Sequence, residues 1–316
     1  MDGQYIIYGA DIKKEAYGHS DDRFKNTFII NSSNPETYCN ELIKICKENL
    51  ISFVAPGSET TNRFICQNQD NFKFNGIFPL VNSTRVFEIC SNKVLCNNFL
   101  RDNSLPNVKT IDIPLGGLLY EFDWFPCVVK PATNSGGSNL VFIAENFDEA
   151  KFFVNYLATR HTDACIQEYI GGSDEFTVGV LSSPEGIVIS SIALKRDLTS
   201  KLSRSLTYGD RVISSGWSQG RIDNFRDICE QAESIALALK STWALNIQGR
   251  IRNGQFVPFE INPRHSGTSY FRAMSGVNEI IIGLSHIQTG KLQSVPPIRP
   301  ATYHRILAER FVYDNV

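Results

Sequence analysis

Two runs of alternating residues, ALNIQGRIR (244–252) and QFVPFEIN (255–262), meet at Asn253-Gly254. Alternation with period two specifies strands, because successive side chains leave opposite faces. Asn-Gly is the strongest short signal for a tight hairpin. The pattern therefore predicts an antiparallel pair with Val257, Phe259 and Ile261 on its buried face, and Glu260, Asn262 and Arg264 together on the other. Folding at the turn brings Gln248 beside Glu260 and Asn262. Taken alone, such a polar face is either a solvated strand surface or a ligand site.

The chain of 316 residues is long enough for two domains, or for one with a large insertion. Its net charge of −2 and pI near 6.2 provide no basic field for nucleic acid or an anionic membrane. No apolar run approaches the length of a membrane span. The opening MDGQYIIYGAD lacks the basic start and apolar core of a signal peptide. A cytoplasmic protein is expected. The eight cysteines are scattered with no CxxC pair, which predicts buried free thiols rather than disulfides or a zinc site. There is no HExxH, no Walker A loop and no GxGxxG.

The first part alternates strand and helix. QYIIYGAD, TFIIN and ISFVAPGSE read as strands, and PETYCNELIKICKENL has helical spacing at Leu42, Ile43, Cys46 and Leu50. This is an α/β pattern with a parallel sheet. Gly57, Ser58 and Glu59 are either a ligand edge beyond a strand's carboxyl end or a helix start capped by Ser58. A helix is predicted from Thr84 to Asn103. Beyond SLPN, seven strand-like runs with only two further helices, near Asp148–Arg160 and Asp223–Lys240, suggest antiparallel sheets in an α+β arrangement.

Further patches precede the hairpin. In FPCVVKPATNSGGSN, Lys130 ends a strand before a turn holding Ser135, Gly136, Gly137 and Ser138. Glycines let backbone N–H groups crowd around an anion, and a lysine adds a point charge; an ordinary hairpin turn is the other reading. In QEYIGGSDEFTVGVL, Glu168 and Glu175 flank a Gly-Gly turn, as nucleotide contacts or as two solvated acids. Gln248, Glu260 and Asn262 offer three oxygen donors with one formal charge, which suits Mg²⁺ completed by phosphate oxygens and water. Arg264 stands where charge would develop on a transferring phosphoryl group.

In this order, the patches resemble the ATP-grasp superfamily, most closely its carbamoyl-phosphate-synthase-like branch, which shares the NIQ…FEINPR arrangement. EYIGGSDEFTVGVL is similar to the adenine and ribose segment of D-alanine–D-alanine ligases. The likeness runs from about Ser91 to the C-terminus, and ISFVAPGSE resembles the small α/β domain that precedes the grasp fold. It implies a Rossmann-like pre-ATP-grasp domain over 1–88 and an ATP-grasp domain over 89–316, with a mobile lid subdomain at about 125–182.

The resemblance also assigns roles. Lys93 and Lys130 would contact ATP phosphates, with the Ser135, Gly136, Gly137, Ser138 loop closing over them. Glu168, Tyr169 and Ile170 would form the adenine hinge, and Glu175 would hold the ribose. Gln248, Glu260 and Asn262 would coordinate Mg²⁺ (or Mn²⁺), and Arg264 would stabilise the phosphoryl transition state. Lys195 or Arg211 would reach the γ-phosphate or substrate. The tail YHRILAERFV is similar to the closing element of the branch. The implied activity is an ATP-dependent carboxylate–amine ligase working through an acyl phosphate. Carbonate or carbamate phosphorylation, or an inactive ATP-binding regulator, are the alternatives. The expected partners are a small-molecule carboxylate and an amine.

Two departures stand out. The chain starts at what would be the family's second strand, so a strand–helix unit is expected to be missing: either the start lies downstream of the ancestral one, or the unit is replaced by another segment, or a homodimer or a partner chain covers the gap. A glutamine-amidotransferase domain and a second synthetase half are also lacking, which argues against a complete carbamoyl-phosphate synthase. Ser266 to Gly276 is expected to line the substrate pocket, with Arg272 pairing either a substrate carboxylate or a structural acid.

Overall fold

A computed structural model describes residues 5–133 and 139–306. The chain divides into two compact units, one of residues up to Val81 together with Ile306 and one running from Asn82 to Arg305.

The first unit holds strands β1 (Tyr8–Asp11), β2 (Asn26–Ile29), β3 (Phe53–Val54) and β4 (Phe78–Pro79), with helices α1 (Pro35–Glu48), α2 (Glu59–Gln67) and α3 (Gln69–Phe74). Strand β1 pairs with β2 and β3 with β4, both parallel, as the α/β reading required. Helix α1 buries Tyr38, Cys39, Leu42, Ile43 and Cys46, a stripe at helical spacing. Ser58 caps α2: its Oγ accepts from Thr61 N while the Thr61 hydroxyl bonds back to Ser58 N, a reciprocal capping box. Gly57, Ser58 and Glu59 are thus a helix start.

In the second unit, α4 (Thr84–Ser91) and α5 (Lys93–Asp102) replace the single helix expected here. Asn92 sits between them in extended backbone, φ −115°, and its side chain accepts from Val94 N and Leu95 N. An asparagine that satisfies orphan N–H groups in this way starts a new helix. Strands β5 (Thr110–Ile113), β6 (Cys127–Pro131), β7 (Phe142–Ala144) and β8 (Ala164–Glu168) form an antiparallel sheet in the order β5-β8-β6-β7, and α6 (Phe147–Ala158) packs on it.

The larger sheet gathers β9 (Glu175–Ser182) and β10 (Val188–Arg196), then β13 (Gly220–Ile222), β14 (Ala244–Arg252), β15 (Gln255–Asn262) and β16 (Ala301–Tyr303), in the order β15-β14-β9-β10-β13-β16. A hairpin of β11 (Arg204–Tyr208) and β12 (Arg211–Ser214) is inserted after β10. Helix α7 (Arg226–Leu239) lies against one face of the large sheet, and α8 (Ser269–Met274) and α9 (Glu279–Thr289) follow β15. Every pairing in these two larger sheets is antiparallel.

The core under α7 joins Val86, Leu100, Phe176, Val178, Val180, Ile235, Leu239, Leu245 and Ile247. Each such side chain contributes about 1.5–3 kcal/mol of burial. Asn82 explains why the second unit begins there. Fully buried, it accepts from Thr242 N, Trp243 N and Ser241 Oγ and donates to Ala244 O, so the chain is tied to the start of β14 before α4 begins. The boundary that the resemblance implies lies a few residues later, at 88. All eight cysteines are free and buried. Among the described residues no helix is long and apolar enough to cross a membrane.

Candidate active site

The hairpin forms as the sequence specifies. Asn253 and Gly254 take positive φ, 51° and 77°, in the turn, and Gln248 pairs with Glu260 while Asn246 pairs with Asn262. One expectation fails. Gly249 pairs with Pro258, so Phe259 is an extra residue in a bulge beside Gln248. Proline has no N–H to give to a ladder, which favours irregularity there. The bulge changes which face each residue takes: Phe259 leaves the core and lines a cleft, while Ile261 stays in the core with Phe256.

That cleft is bounded by Lys93, Val128, Lys130, Val141, Glu168, Tyr169, Ile170, Glu175, Ile213, Ser214, Gln248, Arg250, Phe259 and Glu260. The mixture of aliphatic walls with a few polar groups suits a small-molecule ligand. Each wall has a local cause. Lys93 opens α5, and its backbone N–H donates to Ala132 O just beyond β6. Lys130 ends β6 and donates from Nζ to Phe259 O at 3.3 Å, with the ammonium 5.7 Å from the Phe259 ring centre. Burial, reinforced by Lys93, pushes the Lys130 ammonium down to about 8.

The segment after β8 forms a second wall. Glu168 accepts from Lys109 N and from Arg252 Nη1. The Tyr169 hydroxyl accepts from Val212 N at 2.9 Å, which ties this segment to the β11–β12 hairpin. Ile170 O accepts from Arg250 Nη1 at 2.7 Å.

Three neighbouring strands, β14, β9 and β10, carry a row of charges of which Arg250 and Glu175 line the cleft. Arg250 pairs with Glu175, and the pairing of Lys195 with Phe176 sets Arg196 at the other side of Glu175. Arg250 Nε donates to Glu175 Oε2 at 2.9 Å, and Arg196 Nε lies 3.5 Å from Oε1. Burial lowers the pKa of the Arg196 guanidinium, an effect Glu175 partly offsets. Burial also opposes the charge on Arg250, but Glu175 and Tyr169 outweigh it. One row further, Gln248 Nε2 donates to Glu260 Oε2 at 3.2 Å, and Gln248 Oε1 accepts a long 3.4 Å contact from Arg196 Nη1. Asn262 Oδ1 receives a similar long contact, 3.4 Å, from Arg264 Nη2.

These donors fit a hard divalent cation. They are all oxygens, carry one carboxylate among two amides, and hold only long contacts on the amide oxygens, so a cation could displace them. Among the described residues no group of three or more His, Cys, Asp or Glu is placed for a transition metal.

The structure therefore brings Lys93, Lys130, Glu168, Tyr169, Ile170, Glu175, Gln248 and Glu260 to one cleft, with Asn262 and Arg264 further along β15 and just past it. It does not bring Lys195 or Arg211 there. Lys195 pairs with Asp174 at 2.7 Å and Arg211 with Glu145 at 3.2 Å, and neither lines the cleft. Arg272, fully buried, pairs with Glu279, the structural acid of the two readings. Ser135, Gly136, Gly137 and Ser138 lie outside the described residues. Sequence reasoning missed Arg250, which lines the cleft, and Arg196, which meets Glu175 and Gln248. Arg250 shares a strand face with Gln248, two positions away, and could have been found; the facing of Arg196 depends on the register of β10 against β9.

Residues 160–308 match the family described as ATP-grasp in the biosynthetic pathway with Ter operon. None of the curated proteins matches the sequence. Among solved structures, N5-carboxyaminoimidazole ribonucleotide synthetase from Thermotoga maritima aligns with TM-score 0.64 at 17% identity, over 94% of this chain and 73% of that one. The L-amino acid ligase from Bacillus licheniformis aligns with TM-score 0.63 at 16% identity, over 84% of this chain and 64% of that one, so this chain spans less than two thirds of that ligase. The D-alanine–D-alanine ligase from Bacillus anthracis, complexed with ATP, aligns with TM-score 0.58 at 16% identity, over 89% and 97%.

Proposed function

We propose, from the match of residues 160–308 to an ATP-grasp family and from the shared fold, that this chain is an ATP-grasp enzyme, an ATP- and Mg²⁺-dependent ligase that joins a small carboxylate to an amine. The observation that carries the reading is the opposition of Lys93 and Lys130 to the Gln248–Glu260 pair inside a single cleft.

The aliphatic side chains of Val128, Val141, Ile170 and Ile213 accept a flat adenine ring, and the backbone of Glu168–Ile170 runs past its edge. Lys93 and Lys130 neutralise the phosphates. Glu260, Gln248 and Asn262 would hold Mg²⁺, which draws charge from the phosphate oxygens when bound. A carboxylate is a poor electrophile, because its charge repels nucleophiles and oxide is a hopeless leaving group. Moving the γ-phosphoryl onto it gives an acyl phosphate, which an amine attacks with release of phosphate. The protein's share of this work is positioning and electrostatics. Arg264, beside Asn262, supports the charge that spreads over the phosphoryl group. No protein nucleophile is needed.

The test is ADP release during incubation with pools of amino acids and small carboxylates, with hydroxylamine present to trap an acyl phosphate. Release that depends on a carboxylate, together with a hydroxamate, supports a ligase. Tight ATP binding with neither signal would point instead to a nucleotide-binding regulator.

A further inference from the structure

Residues 169–174, between β8 and β9, belong to no strand, so no ladder fixes the backbone that runs past the adenine edge. One side chain does. Arg250 Nη1 donates to Ile170 O at 2.7 Å, and the rest of the guanidinium bonds in two other directions. Its Nε donates to Glu175 Oε2 at 2.9 Å and its Nη2 to Val212 O at 2.6 Å. The Tyr169 ring packs against the same group, its centre 5.0 Å from Cζ, and the Tyr169 hydroxyl accepts from Val212 N at 2.9 Å. Resting on the ATP reading above, we infer that Arg250 is a positioning residue that sets the hinge backbone before the nucleotide arrives, and through that backbone sets the preference for adenine over other bases.

Arginine suits this task and lysine does not. A guanidinium is planar and carries five N–H groups in a rigid fork, whereas an ammonium donates from a single point. Arg250 is buried, lines the cleft and stands on β14 two residues from Gln248. Its three anchors are the hinge, the first residue of β9 and the second residue of β12, so one side chain joins three elements around the cleft. Holding Arg250 does not use up Glu175. Among the described residues Glu175 Oε1 has no hydrogen bond, with Arg196 Nε 3.5 Å away, which leaves the ribose role that the resemblance assigns to this carboxylate intact. A segment ordered in advance spares the ligand the cost of ordering it. A fixed hinge also cannot shift its donors and acceptors to suit a base with a different edge, and the buried polar groups that such a base leaves unpaired count against it.

Equilibrium binding tests this without knowledge of the carboxylate substrate. Calorimetry would compare MgADP with MgIDP, whose hypoxanthine carries a carbonyl oxygen where adenine carries an amino group, on the wild type and on Arg250→Lys. The wild type should favour ADP by about tenfold or more. Arg250→Lys keeps the charge but not the fork; it should weaken MgADP by about tenfold and narrow the preference to about threefold or less. General loss of structure would weaken both nucleotides by the same factor, so a preference retained in Arg250→Lys overturns the inference. A wild type that favours ADP by less than about threefold overturns it too. Should Arg250→Lys fail to fold, crystal structures of the wild type with and without MgADP decide. The bond from Arg250 Nη1 to Ile170 O present in both supports the inference, and a bond found in only one of them overturns it. A wild type that binds neither nucleotide refutes the ATP reading itself, whereas equal binding of ADP and IDP refutes the inference alone.

Discussion

Arg272 donates through Nη1 to both carboxylate oxygens of Glu279, at 3.2 and 3.4 Å, directly over Gly179 of β9. A Cβ at Gly179 would lie 2.1 Å from Glu279 Oε1 and 2.2 Å from Arg272 Nη1. The glycine is there to leave room for an ion pair. Arg272 also donates to Asn246 Oδ1 at 2.8 Å, so the pair continues the polar face of β14 beyond Gln248. Gly179→Ala should therefore force the pair apart and destabilise the second unit by about 3–5 kcal/mol, the cost of breaking a buried ion pair. Urea denaturation followed by circular dichroism checks this.

The same pair sets an acid limit. Burial pushes the Glu279 carboxyl up, but Arg272, aided by His265 and Ser269, more than reverses it and holds the group at about 2. A carboxyl depressed in the folded state contributes stability that is present above its ordinary value near 4.5 and is lost as pH falls towards 2. Stability of the wild type should decline across that interval, and Glu279→Gln should be less stable at neutral pH but flatter below pH 4.5. Denaturation midpoints measured from pH 6 to pH 2.5 give the comparison.

Lys130 predicts an alkaline limit on nucleotide binding. Its ammonium is held down at about 8, so the protonated fraction of the nucleotide-free protein falls as pH rises through that value. A bound polyphosphate favours the charged form, so binding above pH 8 should take up a proton and weaken with rising pH by up to about tenfold per unit. Calorimetry in buffers of different ionisation enthalpy measures the uptake. Lys130→Gln should bind more weakly at pH 7 and lose the dependence.

Lys195 and Arg211 make a contrasting case. Their ion pairs with Asp174 and Glu145 lie outside the cleft lining. The Lys195–Asp174 pair is exposed and contributes about 1 kcal/mol or less, whereas the Arg211–Glu145 pair is half-buried. Lys195→Ala and Arg211→Ala should change nucleotide affinity by no more than about twofold. A tenfold loss in either would assign that residue to the phosphate site after all.

The hairpin at Asn253-Gly254 was legible because local chemistry decides it: alternation sets the strands and the turn residues set the register. Gln248 and Glu260 followed from that register. The bulge at Phe259 was not legible, since a proline signals irregularity without saying which neighbour becomes the extra residue. The division of the helix at Asn92 was visible in principle, because asparagine prefers a cap to a helix interior, but the apolar stripe on both sides concealed it. Arg196 illustrates the harder limit. Lys195 and Arg196 are adjacent cations on one strand, and only pairing with β9 decides which of them meets Glu175. Glu175 was identified as important, but its partners come from strands far away in the chain, so its engagement with two arginines could not be read from spacing.

The central claim is that Glu260, with Gln248 and Asn262, holds Mg²⁺ against a nucleotide bound between Lys93 and Lys130. The most direct measurement is the affinity for ADP with and without Mg²⁺, in the wild type and in Glu260→Ala, whose altered face is polar and should leave the fold intact. Mg²⁺ should tighten ADP binding to the wild type by about tenfold or more and have little effect on the variant. Equal tightening by Mg²⁺ in both proteins, or no binding of ADP to the wild type, would contradict the claim.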